Sequence, residues 1–324
     1  MCTAITYQTR DHYFGRNLDL EYHYNEQITV TPRNFPFRFT NGKNLKRHHA
    51  LIGMATIAQE YPLYYEATNE KGLSMAGLNF PGNAHYFPIA DGKDNISPYE
   101  FIPWLLTQCA TLQEARSMLQ HINLCNIPFS EQFPLSPLHW LIADKTGAIV
   151  VESMQTGLHI YENPAKVLTN NPPFDWHMMN LNNYLHLTTA APKNRFSGQL
   201  DLKPYSLGMG GIGLPGDLSS ASRFVRAAFT RLNAQSGESE EESVSQFFHI
   251  LGSVSQPRGL NEVRPHEYEI TVYASCCNTD KGVYYCHTYE NARIVKVDMH
   301  RENLDGKKLI IYPLPASSDI LSLN

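Results

Sequence analysis

Long apolar runs are missing. No stretch of the chain approaches the roughly 18 consecutive apolar residues that a membrane span needs. A surplus of basic residues is missing too. Lys and Arg number 26 against 31 Asp and Glu, a net charge of −5 that favours solubility and gives no sign of a basic, nucleic-acid-binding face. Residues 1–11 lack a basic segment followed by an apolar one, so a secretory signal is not expected and the cytoplasm is the expected compartment. The six cysteines, Cys2, Cys109, Cys125, Cys276, Cys277 and Cys286, include no CxxC pair and no even framework spacing. Reduced thiols are therefore expected.

Familiar motifs are also lacking. There is no GxxxxGK[ST], no HExxH and no GxSxG, which removes the phosphate loop, the zinc-protease helix and the hydrolase elbow. Gly208-Met209-Gly210-Gly211-Ile212-Gly213 fits GxGxxG, but no clear strand precedes it and Leu214-Pro215-Gly216 stands where a helix would start. It reads as a flexible loop beside a cleft. His48 and His49 are adjacent and follow Lys46-Arg47, the wrong spacing and the wrong charge for a metal. His139, beside Trp140, reads as packed or hydrogen-bonded. No cofactor and no metal are expected.

Strand and helix patterns are present in blocks. Strand-like segments cover residues 3–9, 12–20, 27–32, 51–57 and 73–80. Ser97-Pro98-Tyr99-Glu100 then opens a helix over 101–109, and Thr111-Leu112-Gln113-Glu114 opens a second through about Ile122. Strands return at 138–144, 148–152, 158–161 and 167–169. Ser219 or Ser220 caps a helix carrying Phe224, Val225, Ala228, Phe229 and Leu232, and another spans 240–251, ended by Gly252. The last strands are expected at 268–275, 283–289, 293–298 and 309–314. Strand blocks that alternate with helix pairs suit an α+β chain of antiparallel sheets with helices on outer layers, not a doubly wound parallel sheet. No linker interrupts the pattern, so one domain over 1–324 is expected. Loop-rich stretches at 81–96, 127–137 and 190–218 have the length of functional loops.

Cys2 is the residue with chemistry to offer. If Met1 is removed, one residue holds both a thiol and a free α-amine. Such an amine has a pKa of about 7.7–8.0 and acts as a base near neutrality, the N-terminal form of base-activated nucleophilic catalysis. On the next strand, Arg16 would favour the thiolate and Asp19 would hold the ammonium; a salt bridge at a strand end is the plainer alternative. The two are an odd number of residues apart and face opposite ways on a flat strand, so a bend or bulge is needed to aim both at Cys2.

The chain resembles the choloylglycine hydrolases, the family of bile salt hydrolases and penicillin V acylases. The resemblance runs through Met1-Cys2-Thr3, Phe14-Gly15-Arg16-Asn17-Leu18-Asp19, Gly77-Leu78-Asn79-Phe80, Leu168-Thr169-Asn170-Asn171-Pro172, Leu181-Asn182-Asn183-Tyr184, Gly213-Leu214-Pro215-Gly216-Asp217 and Ser222-Arg223-Phe224. It implies a four-layer αββα sandwich of the N-terminal-nucleophile type. It implies Cys2 as nucleophile and base carrier, Asp19 as partner of the amine, and Arg16 and Arg223 near the thiol. It also implies an oxyanion hole from the Asn79 backbone N–H and the Asn170 side chain, the Thr-Asn-x-Pro pattern favouring Asn170 over Asn171. Asparagine at position 79 resembles the bile salt hydrolases, whose substrates are glycine- and taurine-conjugated bile salts, more than the penicillin V acylases. Leu18, Leu20, Tyr65, Phe129 and Leu135 fall on the segments that would line the steroid cleft, and a homotetramer is implied. A penicillin V acylase or other N-acyl amidase is the competing enzyme, and an inactive bile-acid binder the competing non-enzyme.

Overall fold

The structure, a computed structural model, describes residues 1–324. In chain order its main strands are β1 (Cys2–Gln8), β2 (His12–Leu20), β3 (Gln27–Thr31), β4 (Leu51–Ala58), β5 (Tyr61–Asn69), β6 (Ser74–Asn79), β7 (Leu138–Asp144), β8 (Gly147–Met154), β9 (Gly157–Glu162) and β10 (Val167–Leu168). β11 (Ile270–Asn278), β12 (Val283–Thr288), β13 (Val295–Asp298) and β14 (Ile310–Pro313) complete them. A six-stranded sheet has the order β10-β1-β2-β11-β12-β13, and an eight-stranded sheet the order β9-β8-β7-β6-β5-β4-β3-β14. Neighbours within each pair antiparallel.

The pleat explains the layers. Along β4, Ile52 and Met54 point into the core between the sheets, while Leu51 and Ala55 point into a second core on the other face. Along β7, Leu141 and Ala143 face inward and Trp140 and Ile142 outward. Strands buried on both faces read as continuous apolar runs, which is how these segments look in the sequence. The outer core of the eight-stranded sheet is covered by α1 (Phe101–Leu106) and α2 (Leu112–Leu119) through Trp104, Leu105, Leu112 and Leu119. The six-stranded sheet is covered by α4 (Ser220–Asn233) and α5 (Glu240–Gly252) through Phe224, Ala228, Phe247 and Leu251. The order helix, sheet, sheet, helix is the expected αββα sandwich. No helix is long and apolar enough to cross a membrane.

Several boundaries differ from expectation. The first helix stops at Leu106, where the Thr107 hydroxyl donates to the Pro103 carbonyl at 2.6 Å. The second stops at Leu119, and Ile122 instead begins a short strand, Ile122–Leu124, paired in parallel with Asp94–Ile96. Leu119 and Ile122 are both buried, so burial satisfies either periodicity and the turn at 120–121 decides. Gly252 is the last helical residue of α5, not its stop; the cap is Ser253. β5 was not expected, because Pro62 and Glu66 weaken its strand character. Pro62 sits near the start of the strand, opposite Ile57, where a missing N–H is tolerated. The helix α3 (Phe174–Asn180) was hidden by aromatic and amide residues of low helix propensity.

Candidate active site

Cys2 begins β1, and pairs with Leu18 of β2; Ala4 pairs with Arg16. Residues directly opposite share a face. Cys2, Arg16, Leu18 and Leu20 therefore all look toward the eight-stranded sheet. Gly15 brings the strand in close, since a Cβ there would collide with the Ser275 carbonyl of β11. The buried Arg16 guanidinium crosses between the sheets: its Nη1 donates to the carbonyls of Tyr65 at 3.1 Å and Gly77 at 2.5 Å. Its Nε lies 3.9 Å from the Glu66 carboxylate, which in turn accepts from the hydroxyls of Tyr273 and Tyr284 at 2.7 and 2.5 Å. Burial alone would loosen the Arg16 proton, but the anionic forms of Cys2, Tyr273, Glu66 and Asp19 more than offset this and raise it above its usual value.

Asn17 and Asp19 face the helical layer. Asn17 donates to the Leu251 carbonyl at 3.0 Å, and the Asp19 carboxylate accepts from Thr271 Oγ1 at 2.7 Å and Gln256 Nε2 at 3.5 Å. Arg16 and Asp19 thus stay on opposite faces of β2. The irregularity lies on the partner strand: Thr271 pairs with Asp19 and Tyr273 with Leu18, leaving Val272 as an extra residue beside that step. Both groups still reach the start of β1 because that start lies at the end of the strand pair. Burial pushes the Asp19 carboxyl up, opposed by Arg223, the chain-end amine, Thr271 and Arg16.

Met1 is in place, so the nitrogen of Cys2 is a peptide N–H. It donates to Asn170 Oδ1 at 2.8 Å. The free ammonium belongs to Met1, donates to the Asp19 carbonyl at 2.7 Å and pairs with Glu269, not with the Asp19 carboxylate. Burial lowers the pKa of that amine, Cys2 and Asp19 oppose the shift, and Arg223 and Arg16 add to it.

Asn170 follows β10 and joins the parts. Its Oδ1 also accepts from Arg223 Nη2 at 2.8 Å, and its Nδ2 donates to the Asn79 carbonyl at 2.7 Å. Asn171 instead donates to the Pro81 carbonyl at 2.6 Å. Arg223, fully buried in the first turn of α4, donates through Nη1 to the Cys2 carbonyl and Thr3 Oγ1, each at 2.6 Å. Burial lowers its pKa against the pull of Asp19 and Cys2.

A cavity of about 490 Å3 opens in front of Cys2. Leu18, Leu20, Tyr65, Phe129 and Leu135 all line it, as do Arg16 and Asn79. Asp19, Asn170 and Arg223 are not on its wall; Asn170 and Arg223 hold the Cys2 backbone, and the Asp19 backbone bonds Met1. Tyr22, Tyr24, Ile102 and Phe133 also line the cavity and had not been singled out from the sequence. A larger cleft of about 640 Å3 lies at the open edge of the sandwich around Glu240, Lys281 and Arg301, and holds none of the expected site residues. The GxGxxG segment forms only the short turn Met209–Gly211, with no helix after it to receive a phosphate.

Comparison with known proteins gives the family and the fold. Residues 2–312 match the family model described as linear amide C–N hydrolases, choloylglycine hydrolase family. The bile salt hydrolase/transferase of Lactiplantibacillus plantarum is 56% identical, with 100% of each chain covered. The crystal structure of the C2A mutant of conjugated bile acid hydrolase from Clostridium perfringens is 40% identical, superposes with a TM-score of 0.92 and covers 100% of each chain. Penicillin V acylase from Agrobacterium tumefaciens shares the fold at a TM-score of 0.73 and 20% identity, covering 95% of this chain and 90% of that one. The chain belongs to the choloylglycine hydrolase family of linear amide C–N hydrolases.

Proposed function

We propose that this chain cleaves the amide bond of glycine- and taurine-conjugated bile salts, with Cys2 as nucleophile after Met1 is removed. The observation that carries the reading is the placement of Cys2. It stands at the floor of a cavity in which 14 of 23 lining residues are hydrophobic, with Arg16 and Asn79 on the same wall. An apolar acyl group the size of a steroid belongs in such a space.

Removal of Met1 would convert the Cys2 N–H into an amine held by Asn170 Oδ1, with Asp19 and Arg223 setting its charge. The amine takes the thiol proton, and sulfur attacks the amide carbon. The Asn79 backbone N–H and the remaining Asn170 Nδ2 hydrogen receive the oxyanion. The C–N bond breaks as the ammonium returns its proton to the departing nitrogen, and glycine or taurine leaves. Water then attacks the thioester, giving free bile acid and the restored thiol. The same thioester met by an amine would give acyl transfer; the L. plantarum relative is named a hydrolase/transferase.

The test is amine release from glycocholate, taurocholate and penicillin V in parallel, under reducing conditions. Release of glycine or taurine well above phenoxyacetate release is expected. Preference for penicillin V would keep the mechanism and overturn the substrate, and absence of turnover with Met1 gone would favour the binder.

The reading extends to assembly and location. Residues 185–212 present the apolar side chains Leu185, Phe196, Tyr205 and Leu207 at 83%, 82%, 85% and 100% exposure, a surface that a second copy of the chain could cover. A homotetramer that covers this arm is expected in light scattering, and a monomer there would refute it. Six unpaired cysteines suit a reducing compartment, in line with the cytoplasm, which cell fractionation would check.

A further inference from the structure

We infer that the buried pair His139–Glu152 is a positioning device for the oxyanion-binding groups. The inference rests on the reading that Asn79 and Asn170 receive the oxyanion. Those two residues come from different strands, β6 and the end of β10, and only one hydrogen bond joins them directly, Asn170 Nδ2 to the Asn79 carbonyl. Something rigid must hold both segments if the donors are to keep their spacing, because a displacement of about 1 Å can cost 10²-fold in rate.

His139 touches both. Its ring stacks on Phe80, the neighbour of Asn79, with centroids 4.2 Å apart and planes 7° from parallel. Its Nε2 donates at 2.9 Å to the carbonyl of Thr169, the neighbour of Asn170. That carbonyl can only accept, so Nε2 carries a hydrogen. Nδ1 faces Glu152 Oε1 at 2.9 Å, and one proton lies between them. Both side chains are fully buried, at 0% exposure. Glu152 Oε1 also accepts from the backbone N–H of Phe174 at 3.1 Å, at the start of α3. From α3, His177 Nε2 donates to the Asn170 carbonyl at 2.9 Å; burial pushes the His177 pKa down to about 4, so the ring is neutral near pH 7, with Nδ1 a buried acceptor. The pair therefore ties β6, the end of β10 and α3 into one body behind the asparagines. Neither member lines the cavity or contacts Cys2.

The test compares Glu152→Gln and His139→Gln with the wild type. Each keeps one of the neutral hydrogen bonds and loses the shared proton. Phe80→Leu, which removes the stack without burying an unpaired polar group, keeps the test available if either polar variant fails to fold. In folded variants kcat for glycocholate falls about 10–100-fold, KM stays within about twofold, and the rate of Cys2 alkylation by iodoacetamide is unchanged. In an Asn170→Ala background Glu152→Gln and His139→Gln cause a smaller further loss than in the wild type, because the part of their effect that acts through Asn170 is already gone. Full kcat in the folded variants, a loss that multiplies with Asn170→Ala, or a parallel loss of thiol reactivity would each overturn the inference. Asn170→Ala measured alone separates this failure from failure of the underlying reading: an unchanged kcat there would remove Asn170 from the oxyanion site and sink the reading itself.

Discussion

Cys2→Ala is expected to abolish amide cleavage and to leave the fold in place. The substitution removes a single sulfur from a residue that is 2% exposed within the core between the sheets. Its backbone contacts to Asn170 Oδ1 and Arg223 Nη1 do not depend on the side chain. Losing that buried atom costs roughly 1 kcal/mol of stability, about the value of one methylene, so Tm falls by only a few degrees. Activity has no such reserve. Arg16 shares the cavity wall with Cys2, Arg223 holds the Cys2 carbonyl, and neither side chain can replace the thiol as nucleophile. Amine release and a thermal melt on the same preparation check both halves, and retained turnover would refute the assigned nucleophile.

Asn170→Ala is expected to lower kcat by about 10²–10³, the cost of one oxyanion donor. The structure gives reason for the upper part of that range. The same amide accepts from the Cys2 nitrogen and from Arg223 Nη2, and donates to the Asn79 carbonyl. Its removal would leave a fully buried guanidinium short of one acceptor and the two donor segments unlinked. KM should change little, because Asn170 is not on the cavity wall. Asn171→Ala is the control: its side chain reaches the Pro81 carbonyl, away from Cys2, and kcat should stay within about threefold of wild type. Steady-state kinetics on glycocholate decide. An unchanged rate for Asn170→Ala would remove it from the oxyanion site.

Much of this architecture was legible because local and global preferences agree. β1, β2 and the hairpin of β7 and β8 combine apolar runs with clear turns, and they fall within a residue or two of expectation. β5 and α3 were missed where local signals oppose the fold, at Pro62 and Glu66 and in the sequence Phe174-Asp175-Trp176-His177. The site divides in the same way. Cys2, Arg16 and Asp19 are close in sequence, and strand geometry relates them. The expected irregularity lies not on β2 but on β11, at Val272, and it leaves Arg16 and Asp19 on opposite faces of β2; that both lie at the end of the strand pair where β1 starts follows from a register that β2 alone does not show. Thr271 and Gln256 behind Asp19, and Tyr273 and Tyr284 around Glu66, are ordinary core residues in the sequence. Their role comes from pairings that only the folded sheet creates. His139 was read as a packed or hydrogen-bonded residue, and it is both, stacked on Phe80 and bonded to Thr169 and Glu152.

The central claim is that the thiol of Cys2, freed from Met1, forms a covalent acyl intermediate with a bile salt. Rapid acid quench of the enzyme during turnover of glycocholate, followed by peptide mass spectrometry, tests it directly. A cholyl thioester confined to an N-terminal peptide that begins at Cys2, and absent from Cys2→Ala, is the result this account requires. Glycine release from an enzyme that still carries Met1, or an acyl group found on any other residue, would contradict it.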